Sequence, residues 1–151
     1  MSYWEDAIPY FTRSELACKA PGYTHDSTEG LRLDLRFAIA LPVLRQQWDR
    51  PLILTSVCRT PDYNESVGGH VRSLHLTENP VHPVDGTMAG DVWWGDWGQS
   101  DQLAFSALAI SLGWSVGLNT QFIHVDRRYD FGLSQKVFKY DNWDERFEVT
   151  I

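Results

Sequence analysis

Helix-spaced apolar residues come first in this chain, and short strand-like runs gathered around one more helical stretch come after them. That order constrains the fold most, because it predicts α+β packing rather than the alternating units of a doubly wound sheet. Phe11-Thr12-Arg13-Ser14-Glu15-Leu16 reads as a helix start, with Thr12 as N-cap, Glu15 closing a capping box and Phe11 stapling onto Leu16. Pro21-Gly22 keeps that helix short. Leu31, Leu35, Ala38, Leu41, Leu44 and Trp48 recur every three or four residues and predict a second helix from about Thr28 to Trp48. Pro42 removes the amide that would bond to the Ala38 carbonyl, so a kink is expected there.

The run from Pro51 to Ser56 predicts a buried strand, Gly68-Gly69 a turn, and the proline-punctuated stretch between Leu76 and Gly90 a loop. Asp91-Val92-Trp93-Trp94 predicts another strand. Ser100 or Asp101 can cap a third helix carrying Leu103, Ala104, Ala107, Leu108 and Leu112 inward and ending at Gly113. Trp114 to Leu118 and Phe122 to Asp126 read as strands joined by a short turn, and the alternation from Phe147 to Ile151 suits an edge strand.

A length of 151 residues fits one domain, and 43% hydrophobic residues with 22% charged ones suffice for a packed core. The seven tryptophans are expected mainly in that core. Net charge is −7, and no run of Lys or Arg forms a basic stripe, so nucleic acid is not an expected partner. An acidic chain also gains no general attraction to anionic polymers, so any such substrate must be held by local contacts in a cleft. No apolar stretch approaches the ~20 residues needed to cross a bilayer, so membrane insertion is not expected. The opening MSYWEDAIPYF lacks the basic and apolar segments of a secretory signal, which predicts a protein made in the cytoplasm. Cys18 and Cys58 are expected as two reduced thiols, with a single disulfide left open.

Five histidines are present, and a lone histidine is usually a surface or hydrogen-bonded residue. The neighbourhoods raise two of them. In Phe122-Ile123-His124-Val125-Asp126, strand alternation puts 122, 124 and 126 on one face, with the Cα atoms of His124 and Asp126 roughly 6–7 Å apart. That spacing suits a metal ligand beside a carboxylate that orients water or the ring. Ser73-Leu74-His75-Leu76 gains force from its surroundings. Thr55-Ser56-Val57-Cys58-Arg59-Thr60-Pro61-Asp62-Tyr63-Asn64 and Val67-Gly68-Gly69 precede it, and Ala89-Gly90-Asp91 and the 122–126 segment follow.

In that order these motifs resemble the M15-type zinc peptidases, the D-Ala-D-Ala carboxypeptidase and L-Ala-D-Glu endopeptidase group common among phage endolysins. The resemblance runs from the Phe11-x-x-Ser14-Glu15-Leu16-x-Cys18 opening to about Arg128. It implies a hedgehog/DD-peptidase-like fold, a small antiparallel sheet flanked by helices; a monomer is expected, although the sequence does not fix the oligomeric state. It implies zinc held by His75, Asp91 and His124, with the fourth tetrahedral position open to water. Arg59 is then expected to clamp a substrate carboxylate or stabilise an oxyanion. Ser73 either bonds substrate or caps its loop. The implied reaction is zinc-dependent cleavage of peptidoglycan stem peptides at the bacterial wall by a phage or prophage lysis enzyme.

Three departures bear on this. His75 and Asp91 lie sixteen residues apart where the family has seven, so the 77–87 stretch reads as an insertion. His82 falls at the seven-residue spacing and Asp85 is a further acidic residue, but Ala89-Gly90-Asp91-Val92 preserves the local pattern. Gln121 stands where some branches carry a glutamate base, leaving Asp126 as base or orienter, or as a partner of Arg127 or Arg128. Val57-Cys58 replaces Gly-Tyr before the arginine, and Cys58 is expected to be a small buried thiol. Two rival readings stay open: a non-catalytic wall-binding or virion protein on the same fold, and a zinc-free interaction domain.

Overall fold

The computed structural model describes residues 4–21 and 30–151. After a 3-10 turn at Trp4–Ala7, Thr12 caps α1 (Arg13–Leu16). Its Oγ1 accepts from the Glu15 N–H, and the Glu15 carboxylate accepts the Thr12 N–H at 3.1 Å. Phe11 and Leu16, either side of the cap, are both buried.

The second helix, α2 (Leu35–Trp48), starts later than its apolar spacing predicts. Asp34 is its N-cap, and Leu33 bridges Thr87 in extended conformation. Leu31 and Leu33 are therefore buried from an extended segment, whereas Leu35 is 59% exposed. The stripe facing the core is Phe37, Ala38, Leu41 and Leu44, and the helix runs through Pro42. Thr28, the expected start, lies outside the described residues.

Asp34 ties this helix to the 77–87 insertion. Its carboxylate accepts from the Arg36 backbone N–H at 3.0 Å, the Arg36 guanidinium at 2.9 and 3.0 Å, and the Asp85 N–H at 3.0 Å. Burial opposes the charge of Asp34, but these bonds, with Arg36 foremost, hold its carboxyl below the ordinary 3.8. Asp34→Ala removes a cap and leaves buried donors unmet, so a loss of about 2–3 kcal/mol is expected in urea unfolding at pH 7. Because the folded carboxyl titrates below the unfolded one, that contribution is present above the ordinary carboxylate pKa and is lost as pH falls through the depressed one. The difference between variant and wild type should therefore shrink on acidification.

A five-stranded sheet forms the centre, in the order β1-β2-β4-β3-β5. The strands are β1 (Leu54–Ser56), β2 (Ala89–Trp93), β3 (Ser115–Leu118), β4 (Phe122–Asp126) and β5 (Val137–Lys139). All neighbours pair antiparallel except β3 and β5, which run parallel, so the sheet is mixed rather than purely antiparallel. The expected C-terminal edge strand is absent, and β5 holds that edge instead. Phe147 packs on Trp94 and Trp143, so aromatic packing without a ladder accounts for the alternation read there.

Two further helices complete the fold: α3 (Pro61–Ser66), with Thr60 as N-cap and Pro61 in its first turn, and α4 (Gln99–Ser111). Gly98, not Ser100 or Asp101, is the N-cap of α4, and its buried face is Gln102, Phe105, Ser106 and Ala109 rather than the expected leucine and alanine set. Gln102 and Ser106 are polar yet buried because they donate to the Trp94 and Gln102 carbonyls. Gly113 closes the helix with a φ of +91°.

Along the strands Gly90, Val92, Val116, Leu118, Ile123 and Val125 alternate toward the core. A Cβ on Gly90 would lie 3.6 Å from Phe37, which places α2 on this face. Trp94, Trp114 and Trp143 are buried as expected, while Trp4 is exposed. Cys18 and Cys58 are both free and buried, and burial pushes the Cys58 thiol up to about 11. No helix among the described residues is long and apolar enough to cross a membrane.

Candidate metal centre

The opposite face of the sheet carries the polar residues. In the register of the sheet, Ser56, Asp91, His124, Gly117 and Phe138 form one row across all five strands. Asp91 and His124 are direct cross-strand partners, so their side chains stand together on one face. Gly117 leaves room in the row. A Cβ there would lie 2.4 Å from the Phe138 ring, which instead leans over to 5.4 Å from the His124 ring.

His75 comes from the loop before β2, and its backbone is pinned on both sides. Its carbonyl accepts from the Arg59 N–H and the Thr87 hydroxyl, each at 2.9 Å, and its N–H donates to Ser73 Oγ at 3.2 Å. The Thr77 N–H returns to the Arg59 carbonyl, closing a parallel bridge between Arg59 and Leu76. The insertion therefore leaves from a fixed anchor and returns to one.

Each imidazole has its tautomer set by an acceptor. His75 Nδ1 lies 2.8 Å from the Val57 carbonyl, which can only accept, so Nδ1 carries the hydrogen. His124 Nε2 lies 2.8 Å from Asp126 Oδ2, also an acceptor. The remaining lone pairs, on His75 Nε2 and His124 Nδ1, converge on Asp91 Oδ1 at 3.2 Å each. Three electron-rich atoms aimed at one point repel unless positive charge sits between them. A zinc ion with ~2.0–2.1 Å bonds has ligand-to-ligand separations of about 3.3 Å, so the donor set fits. All three ligand atoms lie within 4.8 Å of one another, and all three residues are buried.

The electrostatics agree. Burial opposes the charge of Asp91, and the two imidazoles outweigh it, so its carboxyl is held well below the usual carboxylate range. Burial would lower His124, but hydrogen bonds to Asp126 and Asp91 push it up to about 9. Without a cation, a proton on that ring does the same work, and metal binding would displace it.

Asp126 is fully buried and saturated. Besides His124 it accepts from the Arg128 backbone N–H at 3.0 Å and from the guanidinium at 2.9 and 2.6 Å. Arg127 instead pairs with Asp130 at 2.8 Å. Burial opposes the Asp126 charge, and Arg128 and His124 override it, holding the carboxyl well below its usual range. Arg59 reaches Asp91 Oδ2 at 3.5 Å, the range of a charge contact rather than a short hydrogen bond, while its Nε donates to Ser56 Oγ at 3.1 Å.

These groups line a cleft of about 800 Å³. Ser73 lines it while its oxygen accepts from His75. His82 also lines it, its ring 5.3 Å from that of Phe131, but stands outside the His75–Asp91–His124 cluster, as does Asp85. Gln121 is exposed and is not among the lining residues. The sequence reading missed Arg72, Lys136, Phe138 and Tyr140, which also line the cleft. Arg72 sits unmarked just before Ser73, and the other three lie in an aromatic tail with no motif.

No curated protein matches the chain. The family model of peptidase M15 matches residues 9–126, most of the chain and all three residues of the cluster. The chain belongs to the peptidase M15 family, whose members are zinc-dependent peptidases.

Proposed function

We propose that the protein hydrolyses a peptide bond in the stem peptides of bacterial peptidoglycan, as a phage or prophage lysis enzyme acting at the wall. The observation that carries the reading is the convergence of the His75, His124 and Asp91 donors on the floor of an open cleft. Bound there, zinc would act as a Lewis acid on the scissile carbonyl and make water acidic enough to attack near neutral pH.

The protein's own groups have separable tasks. The Val57 carbonyl and Asp126 orient the two imidazoles, and Arg128 keeps Asp126 charged. Of the two roles open to Asp126, orienter suits a carboxylate whose oxygens are already engaged. Arg59 holds the second oxygen of Asp91 and presents its guanidinium to the cleft. Arg72 and Lys136 add positive charge to the lining of a chain whose net charge is −7. That local inversion favours a substrate bearing carboxylates, as stem peptides do. The phage origin is proposed from the family resemblance alone, the M15-type group being common among phage endolysins.

Digestion of purified peptidoglycan tests the reading. The zinc-loaded protein is expected to release material that chelator suppresses, with free D-Ala marking a carboxypeptidase and new N-terminal D-Glu an endopeptidase. Tight zinc binding with an undigested wall would favour the wall-binding or virion alternative.

A further inference from the structure

Tyr140 follows β5 and is held on three sides. Its N–H donates to the Leu118 carbonyl at 2.9 Å, extending the strand pairing by one residue. Its ring packs edge-on to Phe122 at 5.3 Å and at a tilt to Phe138 at 5.6 Å. The side chain lines the same cleft as Asp91 and His124, approaching from the β5 edge while Arg59 approaches from the β1 edge. Its hydroxyl has no hydrogen-bond partner among the described residues.

A phenol fixed this firmly and left with a free donor beside a reaction centre has one obvious use. Peptide hydrolysis builds negative charge on the scissile carbonyl oxygen, and a preorganised donor at that oxygen is worth more in the transition state than in the ground state. Arg59, the other candidate donor, has its Nε on Ser56 Oγ at 3.1 Å and its terminal nitrogens in longer contacts, 3.5 Å each, with Asn64 Oδ1 and Asp91 Oδ2. Burial and the nearby carboxylates of Asp91 and Asp126 keep the Tyr140 phenol protonated well above its ordinary range, with Arg59 opposing them only in part.

We propose that Tyr140 is a catalytic residue whose O–H donates to the scissile carbonyl oxygen of the substrate peptide as that oxygen gains charge. The phenol keeps its proton throughout, and no bond to Tyr140 forms or breaks. Phe122 and Phe138 fix the ring, so the donor costs no reorganisation when the charge appears. The proposal rests on the peptidase reading of the cleft.

The test compares zinc-loaded wild type with Tyr140→Phe, which keeps the ring and its packing. The main readout is calorimetric affinity for a phosphinic pseudopeptide of alanine, a tetrahedral anionic mimic, set against a planar alanine peptide. The variant should retain its zinc, bind the phosphinate about 10- to 100-fold more weakly, and bind the planar peptide within about threefold. Against a cleavable peptide its kcat should fall about 10²-fold with little change in KM. Equal losses for both ligands, a kcat within about threefold of wild type, or a wild type that does not bind the phosphinate would each overturn the proposal. Failure of the wild type to digest wall, with the phosphinate difference intact, would overturn the substrate reading and leave Tyr140 standing.

Discussion

Replacing His124 by alanine is expected to abolish tight zinc retention and peptide hydrolysis together. The substitution removes one of the three donors of the cluster and leaves Asp91 Oδ1 facing His75 alone. The backbone of β4 still pairs with both neighbours, so the variant should fold. Zinc at 100 times its dissociation constant should stabilise the wild type by about 2.7 kcal/mol. Added zinc should therefore raise the wild-type melting temperature and leave that of the variant unmoved. His82→Ala serves as the control, because His82 lies outside the cluster, and its response to zinc should match the wild type.

The second large effect is expected at Asp126. Asn there keeps the volume but removes the charge that both His124 and Arg128 use. Loss of the group that orients a ligand imidazole lowers metal affinity about 10- to 100-fold. Breaking the buried ion pair with Arg128 should cost about 3 kcal/mol of folding stability, the low end for such pairs, because the guanidinium is not wholly buried. The folded Asp126 carboxyl titrates below the unfolded one, so its contribution is complete above the ordinary carboxylate pKa and is lost as pH falls through the depressed value. Urea unfolding of the metal-free proteins at pH 7 and pH 3 should show the gap between wild type and Asp126→Asn narrowing at the lower pH. An unchanged gap would mean that Asp126 acts through its shape and not its charge.

The ligand set was legible only through the ordered motifs and the family they resemble, since His75 sits on a loop and strand alternation alone pairs only His124 with Asp126. His124 and Asp126 share a face by parity alone, and Ala89-Gly90-Asp91-Val92 marks Asp91 despite the displaced spacing. The 77–87 stretch separates His75 from Asp91 in sequence but not in space, since the Thr87 hydroxyl donates to the His75 carbonyl and the Met88 N–H to the Leu74 carbonyl. What the sequence concealed depends on partners far along the chain. Polarity misplaced the buried face of α4, because Gln102 and Ser106 satisfy themselves on backbone carbonyls. Leu31 fell in step with the helix stripe although Asp34 begins the helix after it. Nothing local separates Arg127, which turns to Asp130, from Arg128, which turns to Asp126. Tyr140 reaches the cleft only because β5 pairs in parallel with β3, a contact no local pattern announces.

The most direct test of the account is the metal content of carefully purified wild-type protein, measured beside His124→Ala and alongside hydrolysis with and without chelator. About one zinc per chain is expected, lost in the variant, with hydrolysis that disappears on chelation and returns with zinc. A wild type that takes up no zinc, or hydrolysis that survives thorough chelation, would contradict it.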